Sequence, residues 1–165
     1  MTIYYILYAI MTVAALIVQY ISKDLKYRSR VICSFGFILV FLILALRHWS
    51  MGVDLGYYII EDVGYIPSFR KLNEYSWGEI LKMKKYLNYE RGYIIFNKLV
   101  GSINSDKQFF LGTCAFINIS VMAIYIHKKS NLPFLSWIIF LGLPVFLMFF
   151  SGLRQSVAIS VTMLS

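Results

Sequence analysis

Residues 132–164 read LPFLSWIIFLGLPVFLMFFSGLRQSVAISVTML and carry a single charge, Arg154. The uncharged run 132–150 is close to the roughly 20 apolar residues that a helix needs to cross the hydrocarbon core of a bilayer. Ser151 to Gln155 interrupts it, and a second apolar run follows from Ser156. A guanidinium beside hydrocarbon needs a partner or a water-filled cavity, so Arg154 is a candidate functional group. It also has a plain reading, as a boundary residue whose head snorkels to the lipid headgroups. On position alone the two readings weigh equally, and the rest of the chain has to separate them.

Composition agrees with the membrane. The chain of 165 residues is 59% hydrophobic and only 15% charged. Soluble domains lie nearer 45–50% apolar and about 25% charged. A soluble enzyme is therefore excluded. The net charge of +8 would suit nucleic acid, but the basic residues cluster in short loops beside apolar runs. That is the placement of topogenic signals, and no nucleic-acid partner is expected. Cys33 and Cys114 both lie within apolar runs, without metal spacing or a C-x-x-C pair, and read as small packing residues. The N-terminus has no basic segment before its first apolar run, so it does not read as a cleaved signal peptide.

Residues 3–21 form a first span. Residues 22–30 follow with Lys23, Lys26, Arg28 and Arg30 against Asp24, which sets this loop in the cytoplasm and the N-terminus outside. Residues 31–46 form a second span, closed by Arg47, His48 and Trp49. Residues 47–107 then make a long outer loop of nearly balanced charge. Within it Ser76-Trp77-Gly78-Glu79 is a capping box, followed by Trp77, Ile80, Leu81 and Leu87 at near-helical spacing, a short helix on the membrane surface. Residues 93–103 are too few to span and read as interfacial or re-entrant. Residues 108–126 form a third span, ended by His127-Lys128-Lys129, and residues 132–150 a fourth, with Pro144 expected to kink it and neighbouring helices to satisfy the freed carbonyl. Residues 156–165 begin a fifth.

The expected fold is all-α: a polytopic helical membrane protein with about four complete transmembrane helices, the start of a fifth, and interfacial helices in the outer loop. Residues 1–165 form one transmembrane domain, expected to be the N-terminal part of a longer protein. This topology, drawn from lengths and Lys/Arg placement alone, puts Arg47, Asp54, Glu90, Arg91 and Arg154 on the outer side. Arginines can grip a pyrophosphate bidentately, and a carboxylate can act as general base on a sugar hydroxyl. Taken singly, Asp54 is more simply a turn residue among glycines, and Glu90 a solvated loop charge or a helix N-terminal acid. Asn118-Ile119-Ser120 matches a glycosylation acceptor but lies inside a span. Asn118, Ser120 and Thr113 are expected to bond to neighbouring helices. No metal cluster, P-loop, dinucleotide loop or serine-hydrolase elbow is present in the sequence.

Three elements together resemble the EpsG-like family of bacterial multi-pass membrane proteins, related to the Wzy-type polymerases of O-antigen, capsule and exopolysaccharide. They are Gly52-Val53-Asp54-Leu55-Gly56-Tyr57 after Arg47, then Glu90-Arg91-Gly92-Tyr93, then Ser151-Gly152-Leu153-Arg154-Gln155-Ser156-Val157-Ala158. The resemblance implies a multi-pass protein of a bacterial plasma membrane that joins polyprenyl-pyrophosphate-linked oligosaccharide repeats at the outer leaflet. It implies Asp54 or Glu90 as the base, and Arg47, Tyr57, Arg154 and Gln155 as substrate-binding residues. Arg154 would hold the pyrophosphate. No metal or cofactor is required where arginines supply the positive charge. Partners would be the lipid-linked glycan, the bilayer and other polysaccharide assembly proteins. Three alternatives stay open: a single-addition lipid-dependent glycosyltransferase, an exopolysaccharide export component, and an inactive fragment.

Overall fold

A computed structural model of the chain describes residues 2–21, 24–48 and 64–164. Asp54 and Tyr57 lie outside the described residues. The described chain is almost wholly helical. In order it runs α1 (Thr2–Ile21), α2 (Leu25–Leu46), α3 (Tyr65–Glu74), α4 (Trp77–Lys82), a hairpin of β1 (Lys85–Tyr86) and β2 (Tyr89–Glu90), α5 (Arg91–Ile103), α6 (Lys107–Lys129), α7 (Pro133–Gly142), α8 (Pro144–Phe150) and α9 (Leu153–Leu164).

Helices α2 and α6 are long and apolar enough to cross a membrane, while Tyr5–Ile21 of α1 and Pro133–Gly142 are shorter apolar helices. Each long helix starts at a capping aspartate. The Asp24 carboxylate accepts the Lys26 amide at 2.9 Å, which carries α2 back over Lys26, Arg28 and Arg30. The expected basic loop is therefore partly helical. Asp106 accepts the amides of Gln108 and Phe109 at 2.7 and 3.0 Å. Such caps satisfy donors that have no partner within the helix. At the other end of α6, His127, Lys128 and Lys129 occupy the last turn, where the helix dipole favours cations.

The fourth apolar run differs from a kinked span. It is two helices, with Leu143 both closing α7 and preceding α8 in an extended conformation (φ −83°, ψ 148°). Proline lacks an amide donor and pushes the preceding residue out of the helical region, so Pro144 becomes the first residue of a new helix. The carbonyl it leaves free, that of Phe140, accepts from the Leu143 amide at 3.3 Å. The chain itself supplies the partner that was expected from a neighbouring helix.

Side chains gather into two cores. One lies within the bundle, with Leu7, Val40, Leu44, Ile119, Trp137 and Phe140 among its buried members. Its axis is the pairing of α2 with α6, which run antiparallel: Ser29 Oγ near the start of α2 is 3.0 Å from His127 Nδ1 near the end of α6, and Gln108 Nε2 donates to the Arg47 carbonyl at 3.0 Å. On the opposite face of α6, α9 is tied on by polar bonds. Asn118 Nδ2 donates to Ser156 Oγ at 2.8 Å, and Ser160 Oγ donates to Asn118 Oδ1 at 2.8 Å. Asn118 thus bonds between helices as expected. Thr113 does not: its hydroxyl donates to the Phe109 carbonyl of its own helix at 2.9 Å, the usual local bond of a helical threonine.

The second core is a cap over one end of the bundle. Helix α3, α4, the hairpin and α5 bury Ile66, Phe69, Leu72, Ile80 and Ile94 against Phe110, Leu111 and Cys114 of α6 and Leu153 of α9. Phe69 stacks on Phe110 at 4.4 Å between ring centroids. The capping box forms in full, with Ser76 Oγ accepting the Glu79 amide and Glu79 accepting the Ser76 amide at 2.7 Å. The helix it opens ends at Lys82, however, so Leu87 is not on it. Leu87 lies between the two strands, with φ 52°.

Candidate functional site

The cap brings Glu90–Tyr93 onto the end of the bundle where Ser151–Ala158 emerges, while Gly52–Tyr57 lies outside the described residues. The site is built from the hairpin and from the turn between α8 and α9. Ser151 and Gly152 separate these helices, and the Gln155 side chain folds over Gly152, where a Cβ would lie 2.6 Å from its Oε1 and would push that amide aside. Arg154 follows in the first turn of α9. A cation in that place opposes the helix dipole, whose positive end favours anions. Its position is therefore not explained by the stability of α9.

Arg154 reaches the hairpin. Its Nη1 donates to the Asn88 carbonyl and to both Glu90 carboxylate oxygens, at 3.3 and 3.4 Å. Its guanidinium lies 5.9 Å from the centroid of the Tyr89 ring, within the range of a cation–π contact. The arginine side chain is 26% exposed and the glutamate side chain 72%. All of the hydrogen bonds run through Nη1, so the rest of the guanidinium fork is unoccupied among the described residues. Glu90 precedes α5 without capping it by its side chain, which leaves the carboxylate as the partner of Arg154 alone. Ion pairs open to solvent contribute about 0–1 kcal/mol, so the carboxylate can leave the guanidinium at little cost.

Beneath this pair is an aromatic floor. Tyr89 lies 5.7 Å from Tyr65 and 5.2 Å from Tyr93, centroid to centroid. The Tyr93 hydroxyl and Asn97 Oδ1 are buried without a hydrogen-bond partner among the described residues, and burial holds the Tyr93 phenol well above its ordinary pKa. It stays a neutral donor. Sequence reasoning missed Tyr89, Asn88 and α3. The spacing of Tyr65, Ile66, Phe69 and Leu72 was the legible signal for α3. A hairpin of two-residue strands left no such signal.

Arg47 sits differently. It is 6% exposed, and its Nη1 donates to the carbonyls of Phe149, at 3.4 Å, and Phe150. The guanidinium is 5.2 Å from the Phe150 ring centroid. These are the carbonyls that close α8, where positive charge is favoured. Burial lowers its pKa to about 10, so the group remains charged at neutral pH. Arg47 ties the end of α2 to the turn that carries Arg154, and its Nε is buried without a partner among the described residues. Gln155 is exposed beside Arg154, and Arg91 donates to the Leu81 carbonyl at 3.1 Å. Among the described residues no cluster of His, Cys, Asp and Glu could hold a metal ion.

The left-handed conformation of Leu87 is costly for a residue with a Cβ, by about 1–2 kcal/mol, and such strain gathers at working sites. Leu87→Asn, with a side chain that tolerates this conformation, is expected to stabilise the protein by about 0.5–1 kcal/mol, read as a rise in Tm in detergent.

The family model described as the EpsG family matches residues 30–165, well over half of the chain and all of the site above. No curated protein and no solved structure matches.

Proposed function

We propose a function from one premise: the chain belongs to the EpsG family. Membership points to a membrane protein of polysaccharide biosynthesis. Our reading goes further, to the joining of polyprenyl-pyrophosphate-linked oligosaccharide repeats on the outer face of a bacterial plasma membrane. The observation that carries it is the pairing of Arg154 with Glu90: a half-open guanidinium fork beside a solvent-facing carboxylate, at the end of an apolar bundle.

In this reading the donor pyrophosphate docks at the start of α9, where the helix dipole and Arg154 both attract it. It displaces Glu90 from the guanidinium and so frees a carboxylate next to the reacting sugar. The acceptor hydroxyl oxygen bonds to the anomeric carbon of the donor, and its proton passes to Glu90. The bond from that carbon to the pyrophosphate oxygen breaks, and the electron pair leaves with the lipid pyrophosphate. Arg154 stabilises the charge that develops there. Asp54 is the alternative base. Gln155, and Tyr57 of the first element, complete the substrate contacts. Arg47 acts as a positioning residue, since its guanidinium holds the carbonyls of Phe149 and Phe150.

The test is deletion of the locus in its host, with surface glycan run on a gel, followed by restoration of the protein. Loss of the long-chain ladder, and its return, is the expected result. An intact ladder after deletion overturns the reading. Polymer of normal length trapped on the wrong side of the membrane would instead mark a transporter, and single additions a non-polymerising glycosyltransferase.

A further inference from the structure

The opposite end of the bundle holds a cavity of about 950 Å³ between α1, α2, α6 and α7. Lys26, Arg28, Arg30 and His127 line it, and among the described residues no acidic one does. Two helices begin at its wall, α2 at Leu25 and α7 at Pro133, so two positive dipole ends add to the basic side chains. The guanidinium groups of Arg28 and Arg30 have no ion-pair or hydrogen-bond partner among the described residues. Ser29 and His127, 3.0 Å apart, tie α2 to α6 at the cavity wall. The remaining wall is mixed: Gln19, Ser130 and Asn131 are polar, and Ala15, Ile32 and Phe134 are apolar. At its mouth Leu132 and Leu135 are 65% and 47% exposed.

A topogenic signal needs only charge. It needs neither a cavity nor an apolar wall. We propose that this cavity binds the phosphate headgroup of an anionic phospholipid from the leaflet on the lysine- and arginine-rich side, with the acyl chains lying along α1 and α7. The basic wall and helix ends meet the phosphate, and the leucines at the mouth meet the chains. Basic pockets between membrane helices are suited to such headgroups. The proposal is independent of the polymerase reading, since it concerns the other end of the molecule.

The test reconstitutes the chain in nanodiscs of phosphatidylcholine with and without phosphatidylglycerol. Lipid retained after detergent extraction is then measured by native mass spectrometry. Selective retention of phosphatidylglycerol is expected. Arg28→Gln with Arg30→Gln should weaken it about thirtyfold. Because that pair also alters topogenic charge, Ala15→Phe is the second variant: it fills the cavity, keeps every charge, and should abolish the selectivity. Lys82→Gln with Lys84→Gln, on the cap, should leave it unchanged. Equal retention of both lipids overturns the proposal, and so does selectivity that survives Ala15→Phe. Inorganic phosphate that binds in pure phosphatidylcholine discs, and displaces phosphatidylglycerol from mixed ones, would also overturn it and make the ligand a soluble phosphate.

Discussion

Arg154→Ala is expected to slow extension of the glycan by about 10²–10³-fold, the usual cost of removing one preorganised group that stabilises a developing negative charge. The protein itself should persist, because the bond to Glu90 is long and the carboxylate is largely solvent-facing, a class of interaction that contributes little to stability. Arg154→Lys keeps the charge and loses the planar fork. Nη1 also donates to the Asn88 carbonyl, so once phosphate has displaced Glu90 a bidentate grip draws on the other atoms of the fork, which an ammonium lacks. The lysine variant should therefore fall between wild type and alanine. The measurement is polymer length against time in membranes, with protein level followed in parallel. Equal ladders for the arginine and alanine forms would remove Arg154 from the chemistry. Glu90→Gln separates the two roles of the carboxylate: it keeps an acceptor for Arg154 but cannot take a proton. Loss of extension in that variant supports the base, and full activity leaves Asp54 to supply it.

Trp137→Ala is expected to cost about 3–5 kcal/mol and to clear the protein from the membrane. Trp137 is 0% exposed and is the side chain on which α7 meets α2. A Cβ added at Gly36 would lie 2.6 Å from the indole, so the ring lies flat against bare backbone and nothing can collapse into its place. Phe140 packs edge-on at 5.8 Å and would lose a wall of its pocket. Among the described residues the indole Nε1 is buried without a hydrogen-bond partner, which gives a discriminating control. Trp137→Phe also loses volume but removes the orphaned donor, whose burial costs about 1–3 kcal/mol. It should sit near wild type. Abundance on a blot and Tm in detergent read both variants. An alanine form as stable as wild type would show that α7 is not held through this contact.

The bundle was legible because its signals are long. Uncharged runs with basic residues at one end give α2 and α6 directly, and the same rule sends Arg47, Glu90 and Arg154 to a common end. The capping box at Ser76 was legible as a local pattern with its own hydrogen bonds. The split at Pro144 was half legible: proline announced a disturbance, but whether a helix bends or restarts depends on the Leu143 backbone, and Leu143 can take either conformation. The pairing of Arg154 with Glu90 joins residues far apart in the chain, which no local spacing encodes. Arg47 is the opposite case. Its position beside a span suggested a ligand-facing arginine, whereas the ends of three helices meet there and cover it.

Helix α6 belongs to both cores, and this bears on the order in which the protein is made. Phe69, Leu72, Ile80 and Ile94 leave the ribosome before the residues that cover them, Phe110, Leu111 and Cys114, and well before Leu153. During synthesis the cap therefore waits as an uncovered oily surface at the membrane face, and it closes only when α6 and then α9 have inserted. A stall between these helices would leave that surface open to membrane chaperones and proteases, so the interval between residues 103 and 153 is the vulnerable window in the biogenesis of this protein.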